Sequence, residues 1–500
     1  MTKATLRCCH IGWTTFGIMT LLIFRQAGAA TLDSGPDFES SWTNTIRSST
    51  SYQVNEVPPL AAGFCGLAPN CGFGDGFTQG RVDWLSELDL QGRDSGLHAS
   101  LEARRDVVEP NQGYFDLFEA YGHATVPIGG DQPLSLFLGR HTVIWGESLF
   151  YSGNAIAGAM APIDSTVRET SRYQSNARFL PVGQASFSWQ VSASLSLLGY
   201  DQFEWRRNRV DPEDAYAGIG EVLGAEFNRQ IVLALPYYGK VSYARETAPT
   251  PSSRDQFGFG AKWHKDAFEL GLFGLSFDAK TPAILFDRDQ ARYSLDYGRG
   301  IELVGISLAG PLADASFAAE FSGRRNMPLV TGGAFLETPS YARSGPRGDT
   351  LHGQMSVTAE IAPLPILPGG ANWAIEVAGN HLVATSFEPD QLVAGRTRSA
   401  AALRTLFTPQ FFQILPRLDV TLPISLGYNF LGLSQVLPEM NRGTGDVGVS
   451  VTVILGQSWI GSLGVTHYFG TSKSPFGAVA YGGNPLSQWD SLSLSLQRSF

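Results

Sequence analysis

Cys65 and Cys71 are the residues whose spacing most directly suggests covalent chemistry. They enclose the five residues Gly-Leu-Ala-Pro-Asn. In an oxidising compartment, this spacing favours a disulfide that closes a small loop. A metal site is the alternative, but two thiols without neighbouring histidines make a poor zinc site. We therefore predict a Cys65–Cys71 disulfide in an exported protein.

His98 and Ser100 are the pair that most resembles a base and a nucleophile, because they lie two residues apart in a strand-like segment. The same spacing puts both on the polar face, away from the lipid that a phospholipase must attack. The sequence contains no Gly-x-Ser-x-Gly or His-Glu-x-x-His motif, and its 8 histidines are scattered. We expect no enzyme, metal or other cofactor, with an outer-membrane enzyme as the competing class.

The stretch from Trp145 to Pro181 mixes charged side chains with aromatic and aliphatic ones. Such a mixture suits a loop that folds into an internal passage, where ion pairs fix it and apolar groups contact a passing compound. A solvated external loop is the alternative reading. The residues predicted to form a constriction are Arg140, Glu147, Asp164, Arg168 and Arg178.

The last ten residues indicate which kind of element positions these side chains. Leu492, Leu494 and Leu496 alternate with serines, and the chain stops at Phe500. A strand with one apolar and one hydroxylated face can separate lipid from water. An aromatic carboxy-terminus is also typical of bacterial outer-membrane β-barrels, where the barrel-assembly machinery reads it. A terminal strand of a soluble sandwich is the alternative.

The amino-terminus predicts export. Lys3 and Arg7 precede the apolar stretch 11–24, and Ala27-Gly-Ala29 supplies the small residues that a signal peptidase needs. That stretch is shorter than the roughly 20 residues that a spanning helix requires. We assign residues 1–29 to a signal peptide, with cleavage after Ala29 or Ala30, and residues 30–39 to a disordered start.

Alternation of apolar and polar residues recurs through almost the whole remaining length, as in Val420 to Phe430 and Val447 to Leu455. The chain has 500 residues, with Gly 56, Trp 10, Tyr 16 and Phe 31. These features predict an all-β protein: one transmembrane antiparallel β-barrel over residues 40–500, with about 18 strands and 16 as the next choice. Pro423 interrupts the best strand, so a bulge or an earlier strand end is expected there.

Long polar stretches separate the predicted strands and fit the external loops of such a barrel. They are residues 49–80, 146–181, 207–255, 279–290, 324–349 and 384–398. The stretch 207–255 could also contain a strand or a short helix.

The charge pattern bears on what could pass through. The formal net charge is −10, which argues against nucleic acid as a partner. A polyanion channel should carry an arginine-dominated lumen, and a strong cation channel an acidic one. The predicted polar faces instead mix both signs, as in Asp83, Glu87, Glu102 and Arg104.

Several motifs occur in one order along the chain. They are Leu138-Gly-Arg-His-Thr-Val-Ile-Trp-Gly-Glu147, Leu180-Pro-Val-Gly-Gln184, Gly199-Tyr-Asp-Gln-Phe-Glu-Trp205, Ile301-Glu-Leu-Val-Gly-Ile-Ser307, Asn326-Met-Pro-Leu329 and Gly482-Gly-Asn-Pro-Leu486. From about residue 81 to 500 the chain resembles the domain of unknown function 1302 family of proteobacterial outer-membrane proteins. The resemblance implies an exported barrel, often encoded beside catabolic genes for steroids, terpenoids and other hydrophobic compounds. It implies no catalytic residues.

Together these observations predict a cell outer-membrane channel for uptake of a hydrophobic or poorly soluble organic compound of steroid, terpenoid or aromatic type. Its expected partners are the lipid bilayer, the barrel-assembly machinery and that small hydrophobic substrate. A general or anion-preferring diffusion porin is the alternative, and an export channel or an outer-membrane enzyme is the third possibility.

Overall fold

The computed structural model describes residues 38–55, 76–108, 113–130, 132–166, 179–209, 230–235, 239–246, 250–287, 290–331, 344–456, 458–471 and 482–500. The strands in chain order are β1 Glu39–Gln53, β2 Gly76–Gln91, β3 Ser95–Asp106, β4 Gly113–Ile128, β5 Gln132–His141, β6 Val182–Ser192, β7 Leu195–Gln202, β8 Gln230–Leu235, β9 Gly239–Arg245, β10 Gln256–Lys265, β11 Phe268–Phe277, β12 Ala283–Asp287, β13 Arg292–Asp296, β14 Ile301–Leu312, β15 Ala315–Pro328, β16 Arg347–Ile361, β17 Ala371–Phe387, β18 Ser399–Leu415, β19 Leu418–Thr421, β20 Ile424–Leu431, β21 Thr444–Leu455, β22 Trp459–Phe469 and β23 Ser491–Ser499. A short helix, α1, covers Ala157–Met160.

The wall is a closed antiparallel barrel of 18 strands, which confirms the predicted fold and strand number. Each wall strand pairs with the next one around the barrel, and the order runs β1 to β7, β10, β11, then β14 to β23. β1 closes the ring by pairing with β23, from Thr45 opposite Ser499 to Gln53 opposite Ser491. Closure pairs the backbone groups that an open edge would leave unsatisfied in lipid.

β19 and β20 together form one strand of this wall, interrupted at Leu422 and Pro423. The carbonyl of Pro423 accepts a hydrogen bond from Ser450, but the proline has no N–H to donate to the opposite neighbour. Each of the two residues therefore keeps one hydrogen bond to a neighbouring strand, Leu422 by donating to the carbonyl of Pro409, and regular pairing resumes at Ile424. The predicted interruption at Pro423 is confirmed.

Side chains alternate between a lipid-facing outer surface and the lumen. Large apolar residues exposed on the outer surface include Leu97, Phe115, Leu138, Val304, Phe321, Val449, Leu463, Leu492, Leu494 and Leu496. Residues on the inner face of the same wall include Ser100, Ser307, Glu320, Gln354 and Glu376, all buried. The period of two predicted from sequence thus separates lipid from the barrel interior.

The two ends of the barrel differ in the length of their connections. One rim carries tight turns such as 193–194, 266–267 and 313–314, together with the start of β1 and the end of β23. The opposite rim carries the long connections. Two of these contribute β8, β9, β12 and β13, which form a separate four-stranded sheet with a parallel β9–β13 contact. The stretch 207–255 therefore does contain strands.

Within the described residues, no helix has the length and apolar character needed to cross a membrane. The predicted signal peptide, nearly all of the predicted disordered start, and Cys65 and Cys71 lie outside the described residues.

Candidate functional site

Residues 145–166, called the crossing segment, leave the wall after β5 and run through the barrel interior. Ala155 and Ile156 are fully buried there, and Asn154 and Met160 nearly so. A polar backbone placed among wall strands needs hydrogen-bond partners for its N–H and C=O groups. Those partners are side chains on the inner faces of β15, β16 and β17.

Two wall carboxylates accept hydrogen bonds from the amides of the crossing segment. Glu320 on β15 accepts from the N–H groups of Glu147 and Ile156, at 2.7 and 2.8 Å. Glu376 on β17 accepts from three successive amides, those of residues 149, 150 and 151, at 3.1, 2.5 and 3.1 Å. These five hydrogen bonds between two wall side chains and backbone amides fix the path of the segment.

A buried guanidinium completes this attachment. Nη2 of Arg324 on β15 donates to the carbonyls of Asn154 and Ala155, at 2.7 and 2.9 Å. The Asn154 side chain contacts two wall strands: its Nδ2 donates to carbonyls of β16 and β17, and its Oδ1 lies 3.0 Å from Nδ1 of His352 on β16. The first half of the crossing segment is therefore bound to β15–β17 through both its donors and its acceptors.

An apolar cluster inside the barrel supports α1. Trp145, Ile156 and Met160 pack against inner-face residues of β7, β11 and β14, and Trp145 stacks on Phe273 with ring centroids 5.6 Å apart. Lys280 follows β11, and its Nζ donates to the carbonyl of Ala159 at 2.8 Å. Burial lowers the pKa of Lys280 to about 7, although nearby Asp278 opposes this shift.

The other end of the crossing segment binds the opposite wall. The hydroxyl oxygen of Thr166 accepts a hydrogen bond from Arg104 on β3 at 2.6 Å. The carbonyl of Thr166 accepts a second one from Arg81 on β2 at 3.1 Å. Asp164 pairs with Arg209, in the connection after β7, at 3.0 Å. In the strand order around the barrel, β2 and β3 lie opposite β15 to β17. The segment therefore crosses the lumen from one side to the other.

The wall around this second attachment carries a dense set of ion pairs, called the arginine–carboxylate cluster. Its pairs are Arg81–Asp83 at 2.8 Å, Arg104–Asp83 at 2.6 Å, Arg209–Asp164 at 3.0 Å, Arg206–Asp116 at 2.7 Å and Arg140–Glu204 at 2.5 Å. Tyr114 lies among them, with the Arg209 guanidinium carbon 4.2 Å from its ring centroid. With Glu102, which lies 3.3 Å from Arg209, the five guanidinium groups face five carboxylates, so the charges within these pairs balance.

Arg140 reaches this cluster because of the glycine before it. Gly139 has φ +128°, a conformation that L side chains rarely adopt, and neither pairing of β5 shows a register shift there. The preceding Leu138 faces lipid, whereas Arg140 binds Glu204 and Asp116 in the interior. The backbone of Gly139 therefore turns the Arg140 side chain into the interior, with no register shift at that position.

The structure separates residues that the sequence predicted as one constriction. Arg140 and Asp164 both lie in the arginine–carboxylate cluster, whereas Glu147 lies at the far attachment, where its amide binds Glu320. Burial raises the pKa of the Glu147 carboxyl, and Lys262 opposes that shift. Arg168 and Arg178 lie outside the described residues.

The attachment residues Glu320, Arg324 and Glu376 are not among those predicted from sequence. Their position on polar strand faces places them in the lumen, but many other polar residues share that property. A stronger signal is a strand that is apolar on both faces, such as β14, where Ile301 and Leu303 are buried inside while Val304 and Ile306 face lipid. Such a strand implies that something packs within the barrel.

A cavity of about 730 Å³ adjoins the crossing segment. The segment and the residues flanking it contribute Ile144, Leu149, Ala157 and Phe179 alongside Glu147 and Ser148, and β14 to β16 contribute small and hydroxylated residues. The passage beside the segment therefore offers apolar contact surface with scattered hydrogen-bonding groups. Such a lining is typical of small-molecule sites.

His98 and Ser100 do not form a catalytic pair. Nδ1 of His98 lies 2.7 Å from Asp89, and its Nε2 lies 3.4 Å from Glu119. The Ser100 hydroxyl accepts a hydrogen bond from the amide of Glu119 at 3.0 Å. Among the described residues, no group of histidine, cysteine and acidic side chains has the arrangement needed to hold a metal ion.

Comparison with known families matches residues 13–500 to the family described as protein of unknown function (DUF1302). The chain belongs to the DUF1302 family. This confirms the resemblance seen in the sequence motifs and extends it over essentially the whole chain. Among curated protein sequences, none matches this DUF1302 protein.

Solved barrels share the fold of this DUF1302 protein at low identity. Pseudomonas aeruginosa OccK2 (OpdF), solved in complex with glucuronate, has 11% identity and a TM-score of 0.46, covering 94% of this chain and 99% of that one. The Acinetobacter baumannii outer membrane channel DcaP has 10% identity and a TM-score of 0.41, covering 94% and 100%. Pseudomonas aeruginosa OpdK, solved with vanillate, has 9% identity and a TM-score of 0.44, covering 94% and 100%.

Proposed function

We propose that this protein is an outer-membrane channel that takes up a hydrophobic or poorly soluble organic compound. The observation that carries the proposal is the crossing segment, which spans the lumen beside a cavity lined by its Leu149 and by the flanking residues Ile144 and Phe179. Barrels of this size enclose a water-filled lumen unless something enters it. A segment held at both ends narrows that lumen and gives a passing compound apolar surface to contact.

Three further features support uptake of a neutral compound. The arginine–carboxylate cluster pairs each of its cations with an anion, so its field is weak compared with that of an arginine ring. The lipid-facing band of the wall, the predicted export signal and the terminal Phe500 all fit an outer-membrane location. His98 and Ser100 contact separate partners rather than each other, which gives no support to a nucleophile and base pair.

The test compares a deletion strain with a complemented strain for growth on steroids, terpenoids, alkanes and aromatic acids. Purified protein is studied in parallel in planar bilayers. A growth defect confined to hydrophobic compounds, with low ion conductance, is the expected result. Normal growth on every hydrophobic compound, together with free conduction of small ions, would contradict the proposal and favour a general diffusion pore.

A general or anion-preferring pore is the alternative because the arginine–carboxylate cluster faces the lumen. That reading requires the cluster to be rich in unbalanced positive charge. Reversal potentials in a salt gradient distinguish the two functions: an anion-preferring pore gives a clear shift from zero, whereas the proposed channel gives a small one.

A further inference from the structure

Five rings lie together on the lumen face of β3, β4 and β5, where no function has been assigned above. The ring cluster consists of His98, Tyr121, His123, Phe137 and His141, with neighbouring ring centroids 5.2 to 6.5 Å apart. His98 is stacked on Tyr121, and His123 on Phe137, each with 27° between the ring planes. The intervening residues of these strands, such as Leu97 and Leu138, are exposed to lipid.

Hydrogen bonds at their edges hold the three imidazoles in place. His98 Nδ1 lies 2.7 Å from Asp89 Oδ1, His123 Nε2 lies 3.2 Å from Gln91 Oε1, and His141 Nε2 lies 2.7 Å from Ser186 Oγ. Tyr121, His123 and Phe137 are partly exposed. Rings fixed by their edges and open on part of their faces form a preorganised stacking surface, which lowers the entropy lost on binding.

The charged neighbours of the ring cluster are carboxylates. Asp89 and Glu119 flank His98, and Glu87 lies on the same face of β2. Carboxylates accept hydrogen bonds from hydroxyl groups and repel other anions. The surface therefore favours ligands that combine a flat ring with a hydrogen-bond donor.

The ring cluster also has a defined place along the barrel. His141 directly follows Arg140 of the arginine–carboxylate cluster, and His98 lies near the turn between β2 and β3. A compound that passes the crossing segment along this wall would meet the rings before it reaches the rim with short turns.

We propose that the ring cluster is a binding subsite for flat ring compounds that carry hydroxyl groups. This inference rests on the proposed channel function and names the class of compound that the channel takes. Tyr121 and Phe137 provide stacking faces, and Asp89 and Glu119 accept the hydroxyl proton in a hydrogen bond.

Three probes with one ring system test the proposal on the full chain in detergent: 2-naphthol, naphthalene and 2-naphthoate. Binding is measured by titration calorimetry against each variant in the same detergent. We expect 2-naphthol to bind most tightly and 2-naphthoate most weakly. Tyr121→Ala and Phe137→Ala should each weaken 2-naphthol binding about two- to tenfold. Phe115→Ala, on the lipid face of β4, should leave it unchanged.

A second pair of variants tests the polar half of the subsite. Asp89→Asn and Glu119→Gln should reduce the preference for 2-naphthol over 2-naphthoate, because they remove the negative charge that repels the carboxylate. Tighter binding of 2-naphthoate than of 2-naphthol by the unaltered protein would overturn the proposal. So would equal binding of 2-naphthol by the Tyr121→Ala and Phe115→Ala variants, once unheated gel migration shows that both are folded.

Uptake into proteoliposomes separates this proposal from the channel function. If 2-naphthol binds at the ring cluster but the protein accelerates no uptake, the channel function fails and the subsite stands. If uptake is accelerated while 2-naphthol binding is insensitive to Tyr121 and Phe137, the subsite fails and the channel stands.

Discussion

Glu376 on β17 and Arg104 on β3 lie on opposite sides of the barrel and bind the same segment of chain. Glu376 accepts hydrogen bonds from the amides of residues 149 to 151, and Arg104 donates to the hydroxyl of Thr166. The crossing segment is thus held at two distant points, and its position in the lumen depends on both. Loss of either attachment should widen the passage.

Glu376→Gln should weaken the first attachment, because the three amides bind both carboxylate oxygens and glutamine replaces one of these with an NH2 group that cannot accept a hydrogen bond. The expected cost is about 1.5–3 kcal/mol for the charged hydrogen bonds, and single-channel conductance in planar bilayers should rise. Arg104→Gln should also raise the conductance, and the double variant should conduct more than either single variant. Glu302→Gln is the control, since Glu302 pairs with Arg325 in an exposed position. Equal conductance of the Glu376 and Glu302 variants would contradict the prediction that Glu376 holds the crossing segment in place.

Gly139→Ala should destabilise the barrel and displace Arg140. An added Cβ would overlap the backbone of Ala120 and Tyr121, and φ +128° is unfavourable for alanine. We expect a loss of more than about 1 kcal/mol, read as a lower midpoint of heat-induced gel migration. Gly323→Ala is the matched control, because its Cβ would meet only Leu351 at an ordinary 3.7 Å. If Gly323→Ala destabilised the barrel as much as Gly139→Ala, the predicted requirement for glycine at position 139 would be contradicted.

Lys280 should make stability depend on pH. Its pKa is lowered from 10.5 to about 7 by burial, so between these values the folded protein binds fewer protons than the unfolded chain. The free energy of unfolding then rises with pH across this window. Below pH 7 the full cost of burying the charged lysine is present. Lys280→Met removes the titrating group. The melting temperature of Lys280→Met should therefore exceed that of the natural protein by more at pH 6 than at pH 10. The same difference at both pH values would contradict the lowered pKa of Lys280.

Deletion of Phe500 should reduce membrane insertion more than it alters the folded barrel. Its amide and carbonyl pair with those of Asn44, at 2.9 and 2.8 Å, but the remaining β1–β23 pairing stays intact. The folded fraction in isolated membranes, measured by migration of unheated samples, should fall. Phe500→Trp keeps an aromatic terminus and should insert normally. Equal insertion of the deletion and the Trp variant would show that the terminal aromatic is not read during assembly.

The Cys65–Cys71 disulfide stays a prediction of the sequence. Mass spectrometry of the unreduced tryptic digest should find the two cysteine peptides joined. A Cys65→Ser, Cys71→Ser double variant should retain the heat-resistant migration of the barrel, because pairing within the closed sheet carries its stability. Two free thiols that alkylate without reduction would exclude the bridge.

The sequence by itself determined the barrel and the face on which most strand residues lie. Side chains of a strand alternate strictly, so Leu492 and Leu494 could be placed toward lipid from their neighbours alone. The interruption at Pro423 followed in the same way, because the missing N–H is a property of the residue. Inward folding of the stretch after β5 was also indicated, since its charges and aromatic residues suit a passage better than open solvent.

Only the tertiary structure decided which lumen residues act together. Glu320 and Glu376 look like many other polar residues at alternate positions, and their role arises because the crossing segment passes β15 and β17 rather than other strands. Arg140 joins the arginine–carboxylate cluster because Gly139 adopts a positive φ. The apolar residues change phase between Leu138 and Ile144, which indicated an irregularity in this strand but not the partners of Arg140. Glu147 was grouped with Arg140 by sequence proximity, yet the segment carries it to the opposite wall. Strand alternation is a local property, whereas these contacts depend on the strand order around the closed ring and on the path of one segment across it.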